Sequence, residues 1–447
     1  MTDAATELPG PLPADARAAL TRRRYAADRR FRLYGMGAVA IGIAALVFLL
    51  GSVLERGLPA FSQTFIRADI FLDPAVLDPS GNRDPEEMKK ILTFGYGPII
   101  KDSLADLSAE LQADGAPGIT PTLLAGMVSE AAPAQLRDFV LANPEKVGKT
   151  IEFEFLATGR IDQYVKGNST RESTAGNARL DPAQLDAADR MLELGVMDKR
   201  LNWAFLTNPD ASESRPEAAG LGVALIGSAY MMLIVLVLSL PIGVAASIYL
   251  EEFAKKNWLT DIIEVNISNL AAVPSIVFGI LGIAFFINYV GLPMSAPIVG
   301  GLVLTVMTLP TIIIATRVAI QSVPPSIKEA ALGVGASRMQ AVFHHILPLA
   351  MPGILTGTII GVARALGETA PLLLIGMVAF VKEFPGPLPG GLFDPATALP
   401  VQVYNFTQRA DPAFVERASG AIIVLLVFLV AMNTIAIVLR QKLEKTW

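Results

Sequence analysis

Cysteine is absent from the 447 residues, which excludes disulfides and thiolate metal sites. Histidine occurs only at His344 and His345, adjacent and too few for a zinc centre of the usual kind. Charge is scarce as well. Asp, Glu, Lys and Arg make up 17% of the chain, and a soluble protein of this length needs more to cover its surface. The net charge of −5 favours no nucleic-acid partner. A nucleotide-binding loop is missing too. The nearest approach, "GKT" at Gly148 to Thr150, has Asn143 where the first Gly is required. No metal and no cofactor is therefore expected on this chain.

Apolar residues are what the chain has in abundance: 52% of its length, with a mean hydropathy of +0.50. Several runs reach about 20 residues, enough to span roughly 30 Å of hydrocarbon as a helix. Residues 1–30 are Pro/Ala-rich and then basic, with Arg17, Arg22, Arg23, Arg24, Arg29 and Arg30. The apolar run at 31–53 is too long for a signal-peptide core, and no A-x-A site follows it. It reads as a retained transmembrane helix whose basic flank is cytoplasmic.

Residues 54–218 change character. They hold 26 of the 41 acidic side chains against 17 basic ones, as a soluble acidic domain outside the membrane would. "DPEEMKKIL", "AAPAQLRDFVLAN" and "LDPAQLDAADRMLELG" predict helices, and "KTIEFEFLATG" alternates like a half-buried strand. "NST" at Asn168 is a sequon of the kind that chance supplies. Further spans follow at about 221–250, 268–290, 295–317, 350–380 and 418–439. Their alternation puts 251–267, 318–349 and the C-terminal tail on the N-terminal side. That side carries Lys255, Lys256, Arg317, Lys328, Arg338, Arg440, Lys442 and Lys445, as a cytoplasmic face should. The expected fold is an all-α polytopic membrane protein of six transmembrane helices. Five of them form a core at 219–447, and a mixed α+β insert separates the first from the second. Both termini are expected in the cytoplasm of a bacterial inner membrane, with lipid as a partner.

Proline interrupts the spans at Pro241, Pro274, Pro310, Pro352 and Pro371, each freeing a carbonyl that a neighbour must satisfy. The loop "VPPSIKEAALGVGASRMQAVFHHILPLAMPG" has its own local logic. Pro324-Pro325 stops one helix. Ser326 with Glu329 suits a capping box, Gly335 a position just past a helix end, and Ser337 a second N-cap. The product is helix, turn, helix outside the bilayer. On these grounds alone Glu329 is a capping residue.

Glu329-Ala330-Ala331, Gly335 and Leu347-Pro348 resemble the EAA loop of bacterial ABC importer permeases, with His345 standing where Ile is usual. In that family the loop docks on an ATPase subunit and transmits its motion. "LAAVPSIVFGILG", "LPTIIIATRVAIQSVPPSIKEAALGVG" and "ARALGETAPLLL" narrow the resemblance to the phosphate-specific permease of the PstA type. It covers about residues 219–447. The insert and basic tail resemble the N-terminal extension of some members. The resemblance implies a permease subunit, not an enzyme, that moves inorganic phosphate inward. Its implied partners are a second homologous permease subunit, an ATPase dimer that uses ATP and Mg, and an extracytoplasmic phosphate-binding protein.

"GVARALGETAPLLLIG" raises the sharpest question, because Arg364 and Glu368 lie in an apolar reach. At about 100° per residue, Gly353, Gly357, Gly361 and Ala365 share one helical face with both charges. A stripe of small residues admits another backbone closely, and charge at membrane depth costs at least a few kcal/mol unless paired or wet. The expected role of Gly353, Gly357 and Gly361 is a subunit interface. Arg364 and Glu368 either brace that interface or line a path. In the second case Arg364 meets the anion and Glu368 keeps its affinity moderate, and the resemblance implies a part in phosphate passage. The competing readings are a permease for molybdate, sulfate or phosphonate, an enzyme with its site in 54–218, and a secondary transporter. The insert is either a stabilising decoration or a dock for the binding protein.

Overall fold

The computed structural model describes residues 14–116, 118–174, 181–377 and 380–443. Residues 1–13 of the basic tail, residues 378–379 of the expected fifth span and Lys445 lie outside the described residues. The chain divides into two units, Met1–Glu55 and Arg56–Trp447. The first is dominated by α1 (Ala14–Gly57), 44 residues that run without a break from the basic segment into the apolar one. The tail expected at 1–30 is thus helical from Ala14 onward. Alanine and arginine are both strong helix formers, so nothing stops the helix between them. Its apolar part is long enough to cross a membrane.

In the second unit, residues up to 218 form a mixed α+β body. Its strands are β1 (Ser62–Phe71), β2 (Thr150–Leu156) and β3 (Met197–Leu201), in the order β2-β1-β3 with both pairings antiparallel. Alternation in β1 sends Ile66, Ala68 and Ile70 inward, and Ile66 lies opposite Phe155. Helices α2 (Gly97–Ala113), α3 (Ala132–Ala142), α4 (Gly159–Val165) and α5 (Pro182–Glu193) accompany the sheet. α5 starts where Asp181 and Gln184 close a capping box. Leu104, Leu107, Leu136, Phe155 and Met191 join the strand residues in one core. The strand expected within 149–159 is present over Thr150–Leu156. β1 and β3 are additional, because their charged outer faces blur the alternation.

The bundle begins with α6 (Gly222–Ile248), whose last turn widens to a π-helix at Tyr249–Phe253. Next come α7 (Trp258–Ala271) and α8 (Ser275–Leu281, continuing as a π-helix to Tyr289). The break between them holds Pro274 and bends the chain by 106°. Residues 258–267, to which the sequence assigned no secondary structure, are helical, started by an Asn257–Thr260 capping box, and the span expected at 268–290 is bent into this pair. Then follow α9 (Pro297–Gln321), α10 (Pro325–Gly333), α11 (Arg338–Ala341) and α12 (Leu347–Gly367), the last two joined by a π-turn at Val342–Ile346. The order closes with α13 (Ala370–Leu374), α14 (Leu399–Gln408) and α15 (Ala413–Leu443). Among the described residues five helices are long and apolar enough to cross a membrane, or six if the bent pair counts as one.

Glycine sets the helix spacing. A β-carbon added at Gly353 would stand 2.7 Å from Ala319 Cβ, and one at Gly357 only 2.2 Å from Ala315 Cβ. At Gly361 the nearest atom is Ile312 Cγ1, 3.4 Å away. Ala319, Ala315 and Ile312 all belong to α9, so the stripe joins two helices of this one chain. The expected subunit interface on Gly353, Gly357 and Gly361 is replaced by an internal one. The same physics applies either way: small residues let backbones touch, and dispersion then holds them.

The α+β body is fastened to α15 by buried charge. Lys166 Nζ lies 2.6 Å from Asp162 and 2.8 Å from Glu416, all three side chains almost wholly buried. Gln163 and Asn168 also donate to Glu416, and the Thr64 amide donates to Asp162 at 2.8 Å. Beside them Arg417 donates to Gln63 Oε1 at 2.7 Å and to the Glu217 carbonyl at 3.1 Å, its guanidinium over the Phe205 ring. Glu217 in turn accepts from Ser129 and from the Gly159 amide. Burial pushes the Glu217 carboxyl above the ordinary carboxylate range, against those hydrogen bonds and the nearby Arg417.

Two predictions follow from this packing. Gly357→Ala should destabilise the bundle by about 1–3 kcal/mol through overpacking, and adding Ala315→Gly should recover most of it. Thermal unfolding in detergent measures both, and an unchanged single variant would show that the backbones do not touch. Folding raises the Glu217 pKa, so the folded chain holds that proton more tightly than the unfolded one. Its contribution is present at low pH and is lost as pH rises from the ordinary carboxylate range through the raised value. The stability of wild type relative to Glu217→Gln should therefore fall as pH rises above the ordinary carboxylate value of 4.5. A flat difference would sink the idea.

Candidate functional site

The break after α12 places the two charges singled out in the sequence. Arg364 lies in the last turn of the helix, and Glu368 follows its end in an extended conformation, φ −78° and ψ 127°. Pro371 has no amide hydrogen to give the Gly367 carbonyl, and the chain restarts as α13 only at Ala370. The span expected at about 350–380 is interrupted at the carbonyl that Pro371 frees, and Glu368 does not occupy the helical position that 100° per residue assigned to it. Arg364 Nε is 3.7 Å from Glu368 Oε1, an ion pair too long for a hydrogen bond. The Arg364 side chain is 47% exposed and that of Glu368 19%. Arg364 thus sits at the margin of the packed glycine face rather than inside it.

A second broken helix meets this one. A β-carbon on Gly279 of α8 would lie 2.7 Å from Pro371 Cα, and one on Gly282 3.0 Å from Ile375 Cγ2. Leu372, Ile375 and Met377 then join Phe278, Val303, Met307, Val362 and Leu366 in one core. Two interrupted helices packed against each other free backbone polar groups in the interior, a construction that membrane transporters use for substrate sites. Chemically the break offers one guanidinium, loosely held by a carboxylate, at an edge not covered by this chain. Such a pair suits transient binding of an anion. Among the described residues no group of His, Cys, Asp and Glu could hold a metal ion.

The loop between α9 and α12 is the other candidate. α10 begins at Pro325 with Pro324 as its N-cap and no side-chain cap. The capping box expected from Ser326 and Glu329 is not formed. Proline at the first helical position is preorganised and lacks the amide that a cap would satisfy, so the helix starts before Ser326. Glu329 and Ala330 are left exposed, while Ala331 is buried. The helix ends as expected: the Gly335 amide donates to Leu332 and that of Ala336 to Ala331, with φ +92° at Gly335. This is a Schellman ending, and glycine tolerates its left-handed residue. Ser337 caps α11 as expected, joined by Gln340. Leu347 and Pro348 start α12. Around these residues Leu332, Val334, Met339 and Phe343 expose apolar surface, a patch of the sort that marks a protein interface.

The sequence reading missed the buried charges that tie the first body to α15. Lys166 and Glu416 are 250 residues apart, and neither carries a local pattern that marks burial.

Comparison with known proteins agrees with this architecture. Residues 239–447 match the family described as "Binding-protein-dependent transport system inner membrane component". Residues 18–175 match a domain family described only as a domain of unknown function. The "Probable ABC transporter permease protein YqgI" of Bacillus subtilis is 34% identical over 53% of this chain and 82% of its own length. The "Phosphate transport system permease protein PstA" of Xylella fastidiosa is 31% identical over 52% of this chain and 78% of its own. "PstA 2" of Mycobacterium bovis is 31% identical over 57% and 82% respectively. With helices that can span a membrane and these relatives, the chain belongs to the binding-protein-dependent inner-membrane transport components, as an ABC-transporter permease of the PstA type that carries an N-terminal extension.

Proposed function

We propose that this chain forms half of the translocation path of an ATP-driven importer of inorganic phosphate. The observation that carries this reading is the half-exposed Arg364, held 3.7 Å from Glu368 where α12 breaks. A guanidinium left uncovered at the edge of an apolar bundle costs several kcal/mol in lipid, so that edge faces a partner subunit or water. A lone arginine would retain an anion. With Glu368 beside it the affinity is moderated and the ion can leave. The long ion pair favours this reading over a brace, which would be served better by a direct hydrogen bond. Phosphate is the substrate named for PstA relatives that are 31% identical.

In this reading the chain pairs with a second homologous permease subunit. The exposed Glu329, Ala330 and the apolar residues around Gly335 dock on an ATPase subunit. An extracytoplasmic phosphate-binding protein delivers the ion on the opposite side. Lys255, Lys256, Arg317, Lys328, Arg338, Arg440 and Lys442 support placing that loop and both termini in the cytoplasm. ATP and Mg act on the partner ATPase, whose closure moves the 326–348 helices.

The complex reconstituted in vesicles should take up labelled phosphate only with ATP. Uptake of sulfate or molybdate in its place would overturn the substrate assignment. Arg364→Gln should lower uptake by at least about tenfold with assembly intact, and retained transport would reduce Arg364 to a brace. Glu329→Ala should weaken binding of the ATPase, since the structure gives Glu329 no capping role that the change could disturb. Unchanged association together with unchanged ATPase stimulation would remove Glu329 from the interface.

A further inference from the structure

The loop end of the bundle carries a set of charges that neither the substrate path nor the docking surface uses. The π-helical end of α6 bears Glu251 and Glu252. A π-turn advances less than 100° per residue, so neighbouring side chains point more nearly the same way than in an α-helix. Glu252, its side chain only 9% exposed, is paired with Lys328 Nζ of α10. Glu251 accepts from Arg317 Nε at 3.2 Å and from Gln321 Nε2 at 3.0 Å, both on α9. Arg317 also donates from its other arm to Glu264 of α7 at 2.9 Å. Four helices that are separate in sequence, α6, α7, α9 and α10, are thereby held by two sets of ionic contacts that meet at the neighbouring residues Glu251 and Glu252.

Lys328 lies immediately before Glu329 on the same exposed helix. α10 otherwise packs chiefly on the segment that follows it, Arg338–Ile346. A push on α10 thus has two routes into the bundle. One runs along the chain into α12, through Val342, Ile346 and Ala350 in a core shared with Ile248 and Ala319. The other runs across space from Lys328 to Glu252. A carboxylate this far removed from water depends on its counter-ion, because an uncompensated buried charge is strongly unfavourable. Separating the pair is therefore costly.

We propose that Lys328 and Glu252 form a strut that carries the displacement of α10 into α6, and that Arg317, through Glu251 and Glu264, spreads it to α9 and α7. This makes Lys328 and Glu252 positioning residues for transport. The proposal rests on the reading that the loop receives motion from an ATPase. It assigns α6 as the first membrane helix outside the loop's own chain segment to move.

The test uses the whole complex in vesicles, with uptake of labelled phosphate and ATP hydrolysis measured together. If wild type shows no ATP-driven uptake, the functional reading fails and the strut falls with it. If wild type transports, Glu252→Gln and Lys328→Gln should each lower phosphate taken up per ATP hydrolysed by about tenfold, with hydrolysis retained. The double reversal Glu252→Lys with Lys328→Glu should restore at least half of the ratio. A purely structural contact would change assembly but not the ratio in assembled complex. An unchanged ratio in the single variants, or a double reversal no better than the singles, overturns the strut.

A second measurement does not depend on charge. The chain has no cysteine, so Glu252→Cys with Lys328→Cys can be bridged by a short bismaleimide. A strut moves as one body, so the unbridged pair should couple as poorly as the single variants and the bridge should restore uptake. Uptake that bridging leaves low, or lowers further, would overturn the proposal.

Discussion

The contact of α12 with α9 through Gly353 and Gly357 governs the bundle. Two helices can approach this closely only where neither side chain extends past a methyl group, and here glycines face Ala319 and Ala315. In hydrocarbon no water is released to drive helices together, so close packing itself supplies the attraction. With α12 fixed along that line, its last turn can point in only one direction. Arg364 is turned to the uncovered side while Ala365 and Leu366 are buried. The position of the charge is thus a consequence of the position of the glycines.

Where the helix stops matters as much as how it packs. Proline cannot donate an amide hydrogen, and at Pro371 that deficit falls next to a glutamate that would otherwise continue the helix. The chain opens at Glu368, restarts as α13, and presses it against α8, itself the product of a break at Pro274. Interrupted helices are tolerated in a membrane protein where their freed groups are buried in protein or face water.

Charge in the remainder of the molecule follows a related rule. Lys166 between Asp162 and Glu416, and Arg417 beside Glu217, secure the first α+β body to α15. At the loop end Arg317 and Lys328 answer Glu251, Glu252 and Glu264. Buried pairs of this sort add less to net stability than their Coulomb energy suggests, because each ion gives up its hydration. Their stronger effect is on geometry, since a half-broken pair is costly. Elements joined in this way keep their register.

The apolar runs that become α1, α6, α9 and α15, the helix end at Gly335 and the cap at Ser337 were legible in the sequence. They depend on local rules: runs of apolar residues, backbone freedom at glycine and the reach of a short polar side chain. Three readings needed the fold. The glycine stripe could be recognised as a contact surface, but its partner proved to be α9 of the same chain, since periodicity marks a face and says nothing of what covers it. Glu329 resembled a cap until Pro325 was seen to begin the helix earlier. Lys166 with Glu416, and Lys328 with Glu252, could not have been paired from sequence, because attraction between charges acts through space and their separation along the chain carries no trace of it. Local sequence decided what each segment is, and tertiary packing decided which segments each charge and each glycine would meet.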